Sequence, residues 1–281
     1  MWRVMLVCLL ALVGSGQGMA GSAPIRIGIS PAVLHDQHGA MIDLRRYLEN
    51  KTGREIELIP RNSYRETFDL MRQDKLDFAW VSAYPYLYLR RTLKVRLLVA
   101  PLFQGRPFFR ACLIVPASDK TTSGLLDLGG KFFAYADPDS FSGHFLPRYE
   151  LRRAGKDSRA FFAKTFFVHG QRNVVRAVAD GLADAAYVHD FAWDALAEHE
   201  PDLAAGVRVA ARSQEYGAAP IVARANVNAG DARLLQRVLL EMSDDPEGAA
   251  LLKGQRIDGF GISEPKAYEG VGRIMRAMGR P

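Results

Sequence analysis

The chain has 281 residues, 48% of them hydrophobic, with a formal net charge of +6. Lys and Arg are scattered and form no basic run, which argues against nucleic acid and suits small anions. Of its two cysteines, Cys8 lies in an N-terminal apolar run and Cys112 in an apolar strand pattern. No intrachain disulfide is expected once the leader is removed, and the core alone must hold the fold.

Residues 1–20 read as a signal peptide. Arg3 supplies the positive charge, Val4 to Val13 an apolar core, and Gly18-Met19-Ala20 a cleavage site. The apolar run is too short to favour a membrane span. Its removal leaves about 260 residues, enough for two ordinary domains, in an exported protein expected in the periplasm.

Short apolar strands then alternate with amphipathic helical stretches, the α/β pattern. Ile25–Ile29 reads as a strand, followed by a helix carrying Met41, Leu44 and Leu48 and ending near Thr52-Gly53. Glu55–Ile59 is a second strand closed by Pro60. Ser63-Tyr64-Arg65-Glu66 is a capping box opening a helix with Phe68 and Met71. Phe78–Val81 and Val95–Leu102 are the third and fourth strands. Phe109–Val115 is a strand, Leu125–Leu128 a short helix and Lys131–Ala136 a strand, with a helix after Ser140. Thr165–Val168 and Ala185–Val188 are strands flanking a helix with Val174, Val175 and Val178. Val207–Ala210 and Pro220–Ala223 follow, then helices near Asp231–Met242 and Glu264–Met278.

Gln104-Gly105-Arg106-Pro107 and Ser213–Ala219 read as loops that carry the chain between lobes. Residues 21–105 plus 217–281 then make lobe I and 106–216 lobe II: a two-lobed α/β clamp with a ligand cleft where strand ends and helix starts converge.

The most informative segment is Ala134-Tyr135-Ala136-Asp137-Pro138-Asp139-Ser140-Phe141-Ser142-Gly143. It runs from a strand through an Asp-Pro turn into two serines and a glycine at a helix start. Free backbone N–H groups, two hydroxyls and the positive helix end together suit a small oxyanion. Plain N-capping by serine gives the same local pattern, so the surroundings must decide.

These residues resemble the phosphate/phosphite/phosphonate-binding proteins of ABC importers, from Ile25 to about Phe260. The resemblance rests on Asp127-Leu128-Gly129-Gly130-Lys131, the following strand and Asp137-Pro138-Asp139-Ser140-Phe141-Ser142-Gly143. It also rests on Tyr64 placed before Asp77-Phe78-Ala79-Trp80, and on Ala177-Val178-Ala179-Asp180-Gly181 within Gln171–Asp184. It implies a type II-like periplasmic-binding-protein clamp, with Ser140, Phe141, Ser142 and Gly143 in the anion pocket. Tyr64, Ser82 and Tyr84 contribute from the opposing lobe, and Gln171 lines the site. A tyrosine hydroxyl donates to an oxyanion while its ring excludes water.

The departures from the family pattern are Phe141 for a threonine, Gln171 for a histidine and Phe109 for a tyrosine. Phe191 and Ala219 stand at acidic positions, with Asp190 adjoining the first. Each lost polar group is worth about 1 kcal/mol or more in a dry site. Arg106 and Arg110 are candidate replacements, since an arginine clamps an oxyanion bidentately; solvated loop and strand-edge charge is the plainer reading.

There is no dinucleotide turn, phosphate-binding Lys loop, nucleophile elbow or zinc-protease helix. No enzyme and no cofactor are therefore expected. His35, His38 and His144 raise a metal-binding alternative, against which stands the lack of clustered carboxylates. The expected partners are a small oxyanion and an ABC permease, with the protein a monomer. A periplasmic sensor subunit reporting a different small anion to a membrane signalling partner is the alternative.

Overall fold

The computed structural model describes residues 23–30 and 38–280; the expected leader and His35 lie outside the described residues. In chain order the strands are β1 (Ile25–Ile29), β2 (Ile56–Pro60), β3 (Phe78–Trp80), β4 (Arg96–Leu102), β5 (Phe108–Pro116), β6 (Phe132–Tyr135), β7 (Lys164–Phe167), β8 (Ala185–His189), β9 (Val207–Gly217), β10 (Ile221–Ala223) and β11 (Gly259–Gly261). They form two sheets, one ordered β11-β4-β10-β3-β1-β2 and the other β7-β6-β8-β5-β9. The chain passes from the first sheet to the second after β4 and returns after β9.

The inner strands are mostly apolar, as strands covered on both faces are. β8 is buried at all five residues, and β3 at all three. β1 runs parallel to β2 and β3, whereas β10 enters antiparallel between β3 and β4. In the second sheet β6 is parallel to β7 and β8, and β5 is antiparallel to β8 and β9.

An ionic clasp locks the first sheet. Arg26 grips Asp77 bidentately, Nε to Oδ2 at 3.0 Å and Nη2 to Oδ1 at 2.9 Å. Arg224 reaches the same carboxylate at 3.3 Å, so β1, the start of β3 and the end of β10 share one charge cluster.

Three differences from the sequence expectation have physical causes. The loop expected over Ser213–Ala219 is strand as far as Gly217, because Tyr216 and Gly217 pair with Phe109 and Phe108; the crossing is confined to 218–220. Pro60 belongs to β2 instead of closing it. An edge strand tolerates the missing N–H, and Pro60 stands opposite Ile29. Helices at Ala83–Leu93, Asp190–His199 and Pro246–Gly254 are additional to the sequence reading. In the first, aromatic residues and Pro85 mask the helical period, although a proline in the opening turn leaves the helix ladder intact.

Candidate functional site

Tyr64 is the first residue of the Tyr64–Arg72 helix, which Ser63 caps by accepting the Glu66 N–H at 3.3 Å. Glu66 takes the Ser63 hydroxyl at 3.0 Å, a variant of the expected box. The capped start turns Tyr64 inward, 1% exposed. Its phenol bonds to Ser82. Burial first, and then the charge of Asp137, hold it far above the ordinary tyrosine range despite that bond. Tyr64 is therefore a neutral donor. Ser82 and Tyr84 open the Ala83–Leu93 helix and are buried beside it.

The opposing segment begins where β6 ends. Asp137 Oδ1 accepts the Asp139 N–H at 2.7 Å, an Asx turn that reverses the chain. Ser140 caps the next turn by accepting the Gly143 N–H at 3.1 Å. That turn is wide: Phe145 N–H bonds to the Ser140 carbonyl five residues back, at 3.2 Å. The regular helix starts only at Leu146, with Pro147 in its opening turn. The proline, which has no N–H to donate, thus accounts for the late helix start.

Gly143 is required by closeness. A Cβ there would meet Ala136 Cβ at 2.5 Å and Ala136 N at 3.3 Å, so only glycine lets the serine turn lie against the strand end. Within this turn Ser142 is fully buried, and its Oγ has no hydrogen-bond partner. The same is true of Asp137 Oδ2.

The two halves meet. Arg65 Nη2 lies 3.3 Å from Asp139 Oδ2, and the Tyr84 ring packs edge-on against Phe145 with centroids 4.7 Å apart. Arg280, near the C-terminus, stands over the Phe145 ring. Burial pushes both Asp137 and Asp139 up from the usual carboxylate range, with Arg65 and Arg280 opposing it at Asp139 and His169 at Asp137. His144 is pushed down to about 4, chiefly by burial, and its Nδ1 faces the Pro138 carbonyl at 2.7 Å.

Other expected residues have different employment. The Phe141 ring packs on Tyr216 with centroids 4.7 Å apart. Gln171 Oε1 accepts the His189 N–H at 2.9 Å, tying the Gln171–Ala179 helix to the end of β8. Arg106 and Arg110 are both engaged by Glu215, and Arg110 also donates to the Ser213 carbonyl. Asp190 accepts the backbone N–H groups of Arg110 and Phe191. Phe109 and Phe191 belong with His189 to an aromatic cluster, whose outer side borders a cleft of about 720 Å³ reaching the Pro246–Gly254 helix.

Sequence reasoning missed Arg65, Asp137 as a side chain in its own right, His169 and Arg280. Arg65 was legible in principle, since it follows Tyr64 at a helix start. Arg280 has no local signal. Among the described residues no group of three or more His, Cys, Asp and Glu side chains converges as a metal site would require. None of the described helices is long and apolar enough to cross a membrane.

Comparison with known proteins agrees with this architecture. A binding protein component of an ABC phosphonate transporter from Pseudomonas aeruginosa superposes with a TM-score of 0.82 at 20% identity, over 90% of this chain and 86% of that one. The PhnD1 protein of Prochlorococcus marinus, solved with methylphosphonate, gives 0.81 at 20% identity over 92% and 98%. At that identity they establish the fold alone, a two-lobed α/β architecture. The phosphate-import protein PhnD of Mycolicibacterium smegmatis is 26% identical over 172 residues, 58% of this chain and 54% of the relative. The chain thus matches about half the length of that curated relative. The family model for the periplasmic substrate-binding protein of phosphonate ABC transporters matches residues 27–268. With that span covering most of the sequence, the chain belongs to the family of periplasmic phosphonate-binding components of ABC transporters.

Proposed function

We propose that the protein is exported, captures a small phosphorus oxyanion between its lobes and delivers it, as a monomer, to an ABC permease. The ligand sits between the Ser140–Gly143 turn and Tyr64, with Ser82 and Tyr84 behind the phenol. The lobes divide at the two crossings between the sheets. The observation that carries this reading is the buried Ser142 hydroxyl with no partner, in a segment that meets the Tyr64 helix through Arg65 and Asp139. An unmade buried hydrogen bond costs about 1–3 kcal/mol, so a sequence that keeps a serine there has a use for it. Capping alone needs only Ser140.

The hydroxyl donors supply the grip without any lysine. Their bonds are reversible, as delivery requires. Titration calorimetry with phosphate, phosphite, methylphosphonate and aminoethylphosphonate tests the reading. At least one is expected to bind, and Ser142→Ala is expected to weaken that binding by about tenfold, the loss of one hydrogen bond to a charged ligand. A folded protein silent to all four would refute it.

A further inference from the structure

His189 is a buried side chain whose polar atoms the fold does not use. It is 1% exposed, and among the described residues neither of its ring nitrogens has a hydrogen-bond partner. The ring packs edge-on to Phe109 and tilted against Phe191, with centroids 4.6 and 5.0 Å away. Aromatic faces are weak substitutes for an oxygen or nitrogen partner. Burial pushes the imidazole down to about 3, so it is neutral, with one N–H to donate and one nitrogen to accept. Leaving both unmade in a dry interior is costly, and a phenylalanine would suit such aromatic company better.

The fold directs this ring to the side of the serine turn. His189 is the last residue of β8. Phe133 pairs with Ala185 and Ala134 with Ala186; continued past the end of β6, that register sets His189 level with Asp137, where the turn begins. Side chains two apart on a strand share a face. Two residues before His189, the Tyr187 hydroxyl donates to Glu150 Oε2 at 2.7 Å, on the Leu146–Arg153 helix that follows the turn. That face of β8 therefore carries the serine turn and its helix, and His189 continues it at the strand end. Gln171 fixes the backbone there by accepting the His189 N–H, and Phe109 and Phe191 border the cleft beyond. We propose that His189 is a ligand-binding residue: with the site filled, its imidazole donates an N–H to an oxygen of the phosphorus oxyanion, joining Ser142 and Tyr64. This rests on the function proposed above and deepens it. A neutral donor adds a bond to the grip without a fixed positive charge that would oppose release.

The test compares the full mature protein with its His189→Phe variant, using phosphate, phosphite, methylphosphonate and aminoethylphosphonate. By calorimetry, the variant is expected to bind whichever anion the native protein takes about tenfold or more weaker, the loss of one bond to a charged ligand. Its ligand-free melting temperature should match the native one or exceed it by a few degrees, roughly, because an unpaired buried group gives way to an apolar one. A residue kept for packing alone would show the reverse, a lower melting temperature with affinity unchanged. Nitrogen-15 spectra of histidine-labelled native protein supply the second readout. The ring N–H signal that disappears in His189→Phe should move downfield when the anion saturates the site. Native affinity in the variant, or a His189 ring signal unmoved by saturating anion, overturns the role of His189 and leaves the oxyanion reading standing. If His189→Phe fails to fold, the native ring signal, assigned through His189→Gln, still decides. Binding of none of the four by the native protein removes both readings.

Discussion

At the scale of single residues, the candidate site is a matter of close approach. The serine turn touches the end of β6 because residue 143 has no side chain, and the projected 2.5 Å contact with Ala136 leaves no room for one. Gly143→Ala should force the turn away from the strand, destabilising the protein by about 1–3 kcal/mol. Because the Ser140 cap would be displaced with it, oxyanion binding should fall by more than Ser142→Ala lowers it. Thermal melting and calorimetry on the two variants check the ordering. The residue scale is also where the sequence was least explicit. Ser140 and Ser142 could be named from their pattern, but only the fold shows that one is spent on capping while the other is free. Phe141 reads as a lining residue by its neighbours, yet its ring turns to Tyr216, a partner far along the chain that no local pattern announces.

At the scale of elements, most strands were legible to within a residue or two because their apolar runs are bounded by Gly, Pro and Asp, but β9 was read seven residues short and the short, glycine-flanked β11 was not read at all. β1 coincides with Ile25–Ile29 as expected. What escaped was pairing: β9 reaches Gly217 because β5 offers partners there, and long-range pairing leaves no trace in composition. The Arg26–Asp77–Arg224 clasp is of the same kind, binding three strands distant in sequence. Burial alone would raise the Asp77 pKa, but its hydrogen bonds to Arg26, with Arg224 adding, outweigh that and hold it below the usual value of 3.8. A folded-state value below the unfolded one means stability present above the unfolded pKa and lost as pH drops through the folded one. Asp77→Asn should therefore cost about 2 kcal/mol near neutrality, the loss of charge-assisted bonds. The deficit relative to the native protein should shrink as pH falls below about 4. Urea denaturation midpoints of both proteins, compared at about pH 7 and about pH 3, measure this directly.

At the scale of the whole molecule, the two sheets are joined by two short crossings, each fastened by hydrogen bonds. The return strand is held by Trp80 Nε1 to the Ala219 carbonyl and by the Tyr268 hydroxyl to the Ala218 carbonyl, both at 2.9 Å. The outward crossing is a short turn, Phe103 and Arg106 exchanging backbone bonds. Arg65, on the helix before β3, pairs with Asp139, on the turn after β6. In the proposed receptor, Arg65→Ala should favour separation of the lobes, visible as a larger ligand-free radius of gyration in X-ray scattering. Affinity should fall about two- to fivefold, a modest effect because Arg65 is more than half exposed and water screens its charge. Cys112 offers a different handle on the same architecture. It sits at 0% exposure in the middle of β5, and burial lifts its thiol to about 11, so alkylating reagents find neither access nor thiolate while the second sheet is intact. In a chain without residues 1–20 it is the sole sulfhydryl. Its labelling rate therefore acts as an internal clock for the rare moments when that lobe comes apart, and a bound ligand that bridges both lobes would slow the clock.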